Sequence, residues 1–172
     1  MLEWSGLPTV NLRAAMFVEN PILTWLALEP LRNGELRLPF GHHQLAPIAG
    51  YDVAELCAKI LINPAPHLSK SYKLTGPELK DMHEFAEDYA AALGRHVTYV
   101  PEDVETWNEN YVDNALAAFP HTAEHIKALA RLMGGGGYRG SIDQLETRLG
   151  RPPKTARWAL ENHPRIRKLA SA

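Results

Sequence analysis

Residues 71–100 read SYKLTGPELKDMHEFAEDYAAALGRHVTYV, and this stretch decides the fold class. Ser71–Thr75 is typical of a strand, which Gly76-Pro77 ends. The residues that follow predict a helix with one apolar side, formed by Phe85, Ala86, Tyr89 and Leu93. Gly94 stands where a left-handed helix cap belongs. Val97–Val100 predicts a second strand, so the order strand, helix, strand indicates an α/β layer.

The residues upstream of this stretch predict two more strands and two helices. Thr9–Leu12 and Leu36–Leu38 have the pattern of short strands. Asn20-Pro21 is a helix start, with Asn as the cap and Pro at the first helical position, and we expect Pro30 and Asn33-Gly34 to end the buried helix after it. Asp52 is expected to cap an amphipathic helix that Asn63-Pro64 ends. Its apolar stripe consists of Val53, Leu56, Cys57, Ile60 and Leu61, which predicts that Cys57 lies in the core.

The residues downstream predict mainly helices. One apolar pattern joins Val104, Trp107, Tyr111, Ala115 and Phe119, and a second joins Ile126, Leu129 and Met133. Pro120 separates the two, and a short helix capped by Ser141 and a last helix around Trp158 and Leu160 follow. We therefore predict a single domain over residues 1–172. Residues 1–100 would form its α/β portion, with strands near 9–13, 71–75 and 97–100, and residues 101–172 a mainly helical region.

Composition excludes several classes of protein. Eighteen Lys and Arg against twenty Asp and Glu give a net charge of −2, which argues against binding nucleic acid or anionic lipid through overall charge. The longest apolar run near the start, Leu23–Leu28, is far shorter than the ~20 residues that span a bilayer. One cysteine cannot form an internal disulfide, so the sequence indicates a reducing, cytoplasmic compartment.

The charges are unevenly distributed along the chain. Residues 51–130 carry six basic and thirteen acidic side chains, whereas residues 131–172 carry nine basic and three acidic ones. The acidic middle and the basic end are expected to pair with each other, and the alternative is that the basic end meets a partner.

Two motifs resemble known sites, but neither has the right context. His121-Thr-Ala-Glu124-His125 has the spacing of a zinc-protease helix, yet no third ligand in a prepared cleft is evident, so we predict no metal site. Gly135–Gly140 formally matches a dinucleotide-binding glycine pattern. The residues before it predict a helix where a buried strand is required, so a flexible loop is favoured.

Five segments in order resemble one family. Leu7-Pro-Thr-Val-Asn-Leu-Arg13-Ala-Ala-Met-Phe17-Val-Glu19-Asn20 resembles the fifth-strand signature of NmrA-like proteins, which are atypical short-chain dehydrogenase/reductases. Ala46–Glu55 is similar to that family's stretch around an Asp that opens a helix. Ser71–Pro77 resembles its sixth strand, Leu93–Pro101 the helix end and strand that follow, and Leu149–Thr155 its C-terminal tail. Ala14 departs from the Pro often found after the Arg.

The resemblance implies a Rossmann-type parallel sheet, of which this chain would hold only a remnant, together with the helical substrate side. Family members begin with a glycine-rich turn that holds NAD(P). This chain lacks that half, so we expect the isolated chain not to bind NAD(P). The resemblance places seven candidate residues at the nicotinamide end of the cleft: Arg13, Ala14, Ala15, Met16, Phe17, Glu19 and Asn20. The alternatives are a core role for Phe17, an ion pair for Arg13 and helix-start roles for Glu19 and Asn20.

Two functions remain open from the sequence, and whether the chain is an enzyme is left undecided. The first is the substrate-side part of an NAD(P)-dependent oxidoreductase, incompetent for hydride transfer alone. The second is a non-catalytic, redox-sensing interaction module, because the family includes such regulators. In either case the strand at residues 9–13 would lack a neighbour on one side, which predicts self-association or pairing with a partner chain through that edge.

Overall fold

The computed structural model describes residues 4–136 and 144–172. The strands within these ranges are β1 (Asn11–Ala14), β2 (Glu35–Leu38), β3 (Ser71–Leu74) and β4 (Thr98–Pro101). The helices are α1 (Pro21–Thr24), α2 (Leu28–Arg32), α3 (Gly50–Ile62), α4 (Met82–Leu93), α5 (Val104–Trp107), α6 (Pro120–Gly134), α7 (Gln144–Leu149), α8 (Ala156–Asn162) and α9 (Pro164–Ala170). A 3₁₀ turn (Ala65–His67) precedes β3, and a π-helical stretch (Asn108–Asp113) continues α5.

The four strands form two separate parallel pairs. β1 pairs with β3, with Leu12 opposite Tyr72, and β2 pairs with β4, with Leu36 opposite Tyr99. The predicted α/β fold class and the side-by-side placement of β1 and β3 are therefore confirmed. The strands that flank α4 lie in different sheets, since each pairs with a strand from residues 1–50 and not with the other.

Two hydrophobic cores support the two sheets. The main core packs β2 and β4 against α1, α2, α4, α6, α8 and α9, with Leu23, Phe85 and Trp107 fully buried. The small core lies under β1 and β3, where Leu56 of α3 and Leu145 and Leu149 of α7 cover Tyr72 and Leu74. Burying side chains of this size stabilises a fold by roughly 1.5–3 kcal/mol each, so the main core contributes most of the stability.

Several local predictions hold at the level of hydrogen bonds. The Asn20 side chain accepts from the N–H of Ile22 and caps α1, with Pro21 at the first helical position. Gly94 ends α4 at φ 66°, as predicted, and the start of that helix has a cap that was not predicted, formed by Asp81 in a reciprocal arrangement with Glu84.

Other local predictions are corrected by the structure. Pro30 lies inside α2 and does not end a helix, because its ring occupies the first turn, where no N–H is needed, whereas Asn33-Gly34 does follow the end of α2, as predicted. Asp52 is not a cap: Ala49 takes that place, and the Asp52 carboxylate is fully buried one turn further on. The last helix is two helices, since Pro164 starts α9.

The helical pattern after Pro101 shifts register in the π-helical stretch. Trp107 is buried as expected, but beyond Asn108 the buried positions are Val112 and Leu116 instead of Ala115 and Phe119. A π turn contains one extra residue, so each later side chain moves round the helix and Phe119 is 61% exposed.

The glycine stretch that begins with the last residue of α6 has a packing role there. A Cβ added to Gly134 would lie 2.5 Å from the carbonyl oxygen of Pro39, so only glycine allows this close approach. The predicted loop residues from Gly137 and the predicted cap Ser141 lie outside the described residues.

Candidate functional site

The chain leaves β1 through a fixed loop. The Ala15 N–H donates to the carbonyl of Leu74, at 2.7 Å, and so continues the β1–β3 ladder past the end of the strand. Phe17 then pairs with Ile48 in a parallel bridge, in which the Val18 N–H donates to Ile48 at 3.0 Å and the Ile48 N–H to Met16 at 2.9 Å. These bonds hold residues 15–20 against the segment that enters α3.

A carboxylate meets the first residue of α3. The Gly50 N–H donates to both carboxylate oxygens of Glu19, at 3.2 and 3.0 Å. A negative charge is stabilised at a helix N-terminus, because the unpaired N–H groups there carry partial positive charge. The fit is close, since a Cβ on Gly50 would stand 3.3 Å from Glu19 Oε2. Glu19 therefore joins the β1 loop to α3.

An open groove of about 690 Å³ lies between the loop and the helix. One wall is the loop, with Phe17, Glu19, Asn20 and Pro21, and the other is α3, with Gly50, Tyr51, Val53, Ala54 and Cys57. Most of these side chains are apolar, and the groove lies at the carboxyl end of β1. Ligands of parallel α/β sheets bind at that end of the strands.

The buried carboxylate of Asp52 holds a segment that is distant in sequence against α3. Asp52 accepts from the Arg151 guanidinium at 2.7 Å and from the Lys154 backbone N–H at 2.6 Å. Arg151 also bonds Glu55 at 2.6 Å, which lowers the pKa of the Glu55 carboxyl. These bonds fix residues 151–154 beside the first turns of α3.

The segment that Asp52 fixes brings aromatic and cationic groups beside the groove. The Trp158 ring meets Tyr51 edge to face, with centroids 5.6 Å apart. The Lys154 ammonium lies 4.6 Å from the Trp158 ring centroid, within the range of a cation–π contact. Tyr51, which lines the groove, is thus held by groups more than a hundred residues away in sequence.

His163 lies in the electrostatic neighbourhood of Glu19. Burial lowers the pKa of its imidazole below the ordinary 6.5, while the Glu19 carboxylate acts in the opposite direction and Arg165 lowers it further. Its Nδ1 atom is buried without a hydrogen-bond partner among the described residues. A neutral imidazole is the favoured form here.

The seven residues named from the sequence fall into two groups. Phe17, Glu19 and Asn20 line the groove. The other four do not: Arg13 is exposed on β1, Ala14 is half-buried, Ala15 belongs to the small core and Met16 packs on the main core. Glu19 and Asn20 also have the helix-start roles named as alternatives, since one contacts α3 and the other caps α1.

Sequence reasoning missed the α3 wall. Cys57 was predicted to be a core residue, but it is half-buried and lines the groove one turn after Val53. The apolar stripe of α3 is wide enough to serve the small core with Leu56 and Ile60 and the groove with Val53, Ala54 and Cys57. The breadth of that stripe was the available signal, and no local pattern distinguishes its two faces.

The two sites rejected from the sequence can be located in part. His121 and His125 are exposed on α6, and Glu124 between them pairs with Lys127 at 3.5 Å. Within the described ranges, no three His, Cys, Asp or Glu side chains are placed to hold a metal ion. Gly135 and Gly136 follow α6, so the described start of the glycine pattern does follow a helix.

The groove suits an uncharged ring and not the phosphates of a nicotinamide cofactor. Its apolar walls suit a flat ring. The helix N-terminus that could receive a phosphate is already occupied by the Glu19 carboxylate, whose charge would repel another anion. In the part of the chain that the structure describes, no strand leads into a turn with the G-x-G-x-x-G glycines and then a helix.

The chain was compared with protein-family models, curated proteins and solved structures. No protein-family model matches the chain. An NAD(P)H azoreductase from Xenophilus azovorans is 25% identical over 154 residues, which cover 90% of this chain and 52% of that protein. The chain spans about half, or less, of the length of the curated relatives it matches.

Solved structures that resemble this chain also match it over about half of their own length. A nucleoside-diphosphate-sugar epimerase from Staphylococcus aureus has a TM-score of 0.71 at 29% identity, over 94% of this chain and 55% of that one. An NADPH-dependent quinone oxidoreductase from Escherichia coli, complexed with NADPH, has a TM-score of 0.69 at 20% identity, over 99% of this chain and 55% of its own.

This chain shares the fold of those proteins. One curated relative is an NAD(P)H azoreductase, and the resemblance noted in the sequence is confirmed at the level of the fold. The narrower NmrA-like assignment stays a prediction. No helix in the described ranges combines the length and the apolar character needed to cross a membrane.

Proposed function

We propose that this chain is the substrate-side part of an NAD(P)-dependent oxidoreductase and that the groove is the wall against which the hydride acceptor lies. The observation that carries the proposal is the position of the groove. It opens at the carboxyl end of β1, where the Phe17 loop meets the N-terminus of α3. Parallel α/β sheets bind ligands at that end of their strands, and relatives with the same fold are reductases.

The groove chemistry favours a flat, aromatic acceptor. Phe17 and Tyr51 supply ring surfaces on opposite walls, and Val53 and Ala54 supply an apolar surface between the turns of α3. The names of two relatives refer to azo and quinone acceptors, which are flat conjugated molecules. An acceptor of this kind would gain a hydride at one atom and a proton at another.

The chain's own residues would orient the acceptor and not supply the hydride. A nicotinamide cofactor, when bound, supplies the hydride. Glu19 holds the two walls together through its bonds to Gly50, in addition to the Phe17–Ile48 bridge that fixes the loop beside α3. Since the described residues form no pyrophosphate cradle, we propose that the chain alone does not transfer hydride and does not bind NAD(P)H with useful affinity.

Titration with duroquinone, a flat and fully substituted quinone, tests the acceptor site. The indole N–H of Trp158 is the reporter in ¹H–¹⁵N spectra, since Trp158 contacts Tyr51 of the groove. Ala54→Phe should fill the groove and weaken binding by about tenfold, or 1.4 kcal/mol. Ala58→Phe is the matched control, because Ala58 is exposed one turn along α3 and does not line the groove.

Either of two results would contradict the acceptor proposal. One is the absence of a saturable Trp158 shift in the wild-type chain, and the other is equal weakening by both phenylalanine variants. Titration of the same chain with NADPH tests the cofactor proposal separately, and saturable micromolar binding would overturn it.

The open edge of β1 supports the second candidate, an interaction module. The N–H groups of Asn11 and Ala15 donate to Lys70 and Leu74 of the neighbouring segment. Since alternate N–H groups of a strand face opposite ways, those of Leu12 and Ala14 face away from β3. Among the described strands none pairs with this side of β1.

We propose that the edge pairs with β1 of a second copy of the chain, because antiparallel pairing of identical strands satisfies both edges at once. Sedimentation over a wide range of dilution should show a dimer that dissociates, and Val10→Pro should shift it toward the monomer. A wild-type chain that is monomeric throughout would defeat this proposal, and so would a dimer that the proline leaves unchanged.

A further inference from the structure

The basic end of the chain is only partly neutralised by the acidic middle. Arg131 pairs with Glu105 at 2.8 Å, Arg151 with Asp52 at 2.7 Å and Arg157 with Asp88 at 3.3 Å, which is the pairing that the charge distribution predicts. The three cations of α9, namely Arg165, Arg167 and Lys168, have no such partner among the described carboxylates.

Two of these cations face a cavity of about 490 Å³ between α2 and α9. We call it the basic cavity, and it is lined by Leu28, Arg32, Arg165, Lys168, Leu169 and Ala172. Arg32, at the end of α2, contributes the third cation and likewise forms no ion pair within the described ranges. None of the residues that line the groove lines this cavity.

The three cations outnumber the α-carboxylate of Ala172, which also lines the cavity but, among the described residues, forms no ion pair with any of them, so they repel one another unless a further anion lies between them. Arg32 and Lys168 each stand in the last turn of a helix, where a cation is favourable, but Arg165 stands in the first turn of α9, where the helix dipole opposes it. Arg165 is held over the ring of Trp25, with its guanidinium carbon 5.7 Å from the ring centroid. The repulsion and the dipole both indicate that an anion would be stabilised here.

The rest of the lining defines the ligand further. Leu169 is 6% exposed and belongs to the main core, and half-buried Leu28 packs against that core, so the cavity has an apolar floor. A volume of about 490 Å³ is far larger than an inorganic ion needs and lies in the range of small-molecule sites. A ligand that uses the whole lining therefore has an anionic head and an apolar body.

We propose that the basic cavity binds a small organic carboxylate with an apolar chain, its head held by Arg32, Arg165 and Lys168 and its chain against Leu28 and Leu169. This site is separate from the acceptor groove and does not depend on the proposed oxidoreductase function. Either site can fail its test without the other.

Octanoate is the probe, and two indole groups report where it binds. Trp25 stacks with Arg165 of the basic cavity, whereas Trp158 contacts Tyr51 of the groove. Octanoate should shift the Trp25 indole N–H saturably and leave that of Trp158 in place. Acetate, which has the head alone, and octan-1-ol, which has the chain without the charge, should each bind at least about tenfold more weakly.

Three exposed cations provide the variants. Arg32→Gln and Lys168→Gln should each weaken octanoate binding by about tenfold. Arg167→Gln removes the same charge from the same helix as Lys168→Gln, but Arg167 does not line the cavity, so binding should stay unchanged. All three side chains are exposed, so the fold should survive each change, and the dispersion of the spectrum checks this directly.

The proposal is overturned by any of four results. These are no saturable shift of Trp25, a shift of Trp158 in its place, equal loss of binding in Arg167→Gln and Lys168→Gln, or octan-1-ol binding as tightly as octanoate.

Discussion

The two sheets are alike in size and direction but differ in what surrounds them. β2–β4 lies inside the main core, where Leu36 and Leu38 are fully buried and Tyr99 is 4% exposed. The β1–β3 sheet is covered on one face by α3 and α7, while Arg13 and Lys73 on its other face are exposed. The same local motif is thus enclosed in one region and half-covered in the other.

Because of this difference, the main core provides most of the stability and the β1–β3 region provides the candidate binding surfaces. The groove and the open strand edge both belong to the half-covered β1–β3 region, whereas most of the fully buried side chains belong to the main core. Binding sites need accessible surface and adjustable contacts, and regions with few buried contacts open most readily. Variants in the two regions should therefore have effects of different size and kind.

The largest expected effect is in the main core. Trp107 is fully buried and its indole N–H donates to the carbonyl of Arg37 on β2, at 3.1 Å. Trp107→Ala should lower the free energy of unfolding by roughly 3–5 kcal/mol, since it leaves a large cavity. Leu12→Ala in half-buried β1 should cost about 1 kcal/mol, and urea denaturation measures both. Equal losses would remove the distinction between the two regions.

The second effect concerns the bonds that hold the C-terminal segment on α3. Asp52→Asn removes a fully buried charge that accepts from Arg151 and Lys154 and should cost roughly 1.5–3 kcal/mol of unfolding free energy. Glu55→Gln changes a partly exposed partner of the same arginine and should cost clearly less than Asp52→Asn. If the two variants lose the same stability in urea, Asp52 is not the anchor of this segment.

A third effect is a pH dependence that the same arginine controls. Arg151 lowers the pKa of Glu55 in the folded chain below its ordinary 4.5, so Glu55 stabilises the fold above that pH and loses its contribution as the pH falls. Arg151→Gln should therefore flatten the decline in urea midpoint between neutral pH and pH values below 4.5. A decline as steep as in the wild-type chain would contradict this assignment.

The smallest effect is a change of one histidine pKa. Burial lowers the pKa of His163, and the Glu19 carboxylate of the groove partly offsets this. Glu19→Gln should therefore lower the His163 pKa further, and Arg165→Gln should raise it, as measured by NMR titration of the imidazole. If neither variant changes the His163 pKa, these two charges lie too far from the imidazole to act on it.

Local signals in the sequence predicted the elements but not how they assemble. Neighbouring residues predicted the caps at Asn20 and Gly94 and the short strands. The charge distribution predicted the pairing of the basic end with the acidic middle. The division into two sheets was not predicted, because strand pairing depends on contacts between residues some sixty positions apart, as between Leu12 and Tyr72.

The candidate site divides in the same way. The loop wall, with Phe17, Glu19 and Asn20, was found through a resemblance carried by one continuous stretch. The α3 wall was missed because Cys57 and Val53 belong to an apolar stripe that looks the same whether it faces a core or a groove. Trp158 contacts Tyr51 across more than a hundred residues, and no spacing rule connects them.

Native-state hydrogen exchange in increasing urea tests most directly whether the half-covered β1–β3 region and the main core are distinct. The reporters are the amides of Asn11 in β1 and of Ala15 directly after it, bonded to Lys70 and Leu74, and the β4 amide of Thr98, bonded to Gly34. We predict that Asn11 and Ala15 exchange through a partial opening, with a lower free energy and a smaller urea dependence than Thr98, which should require global unfolding. Identical free energies and urea dependences for all three amides would contradict this account.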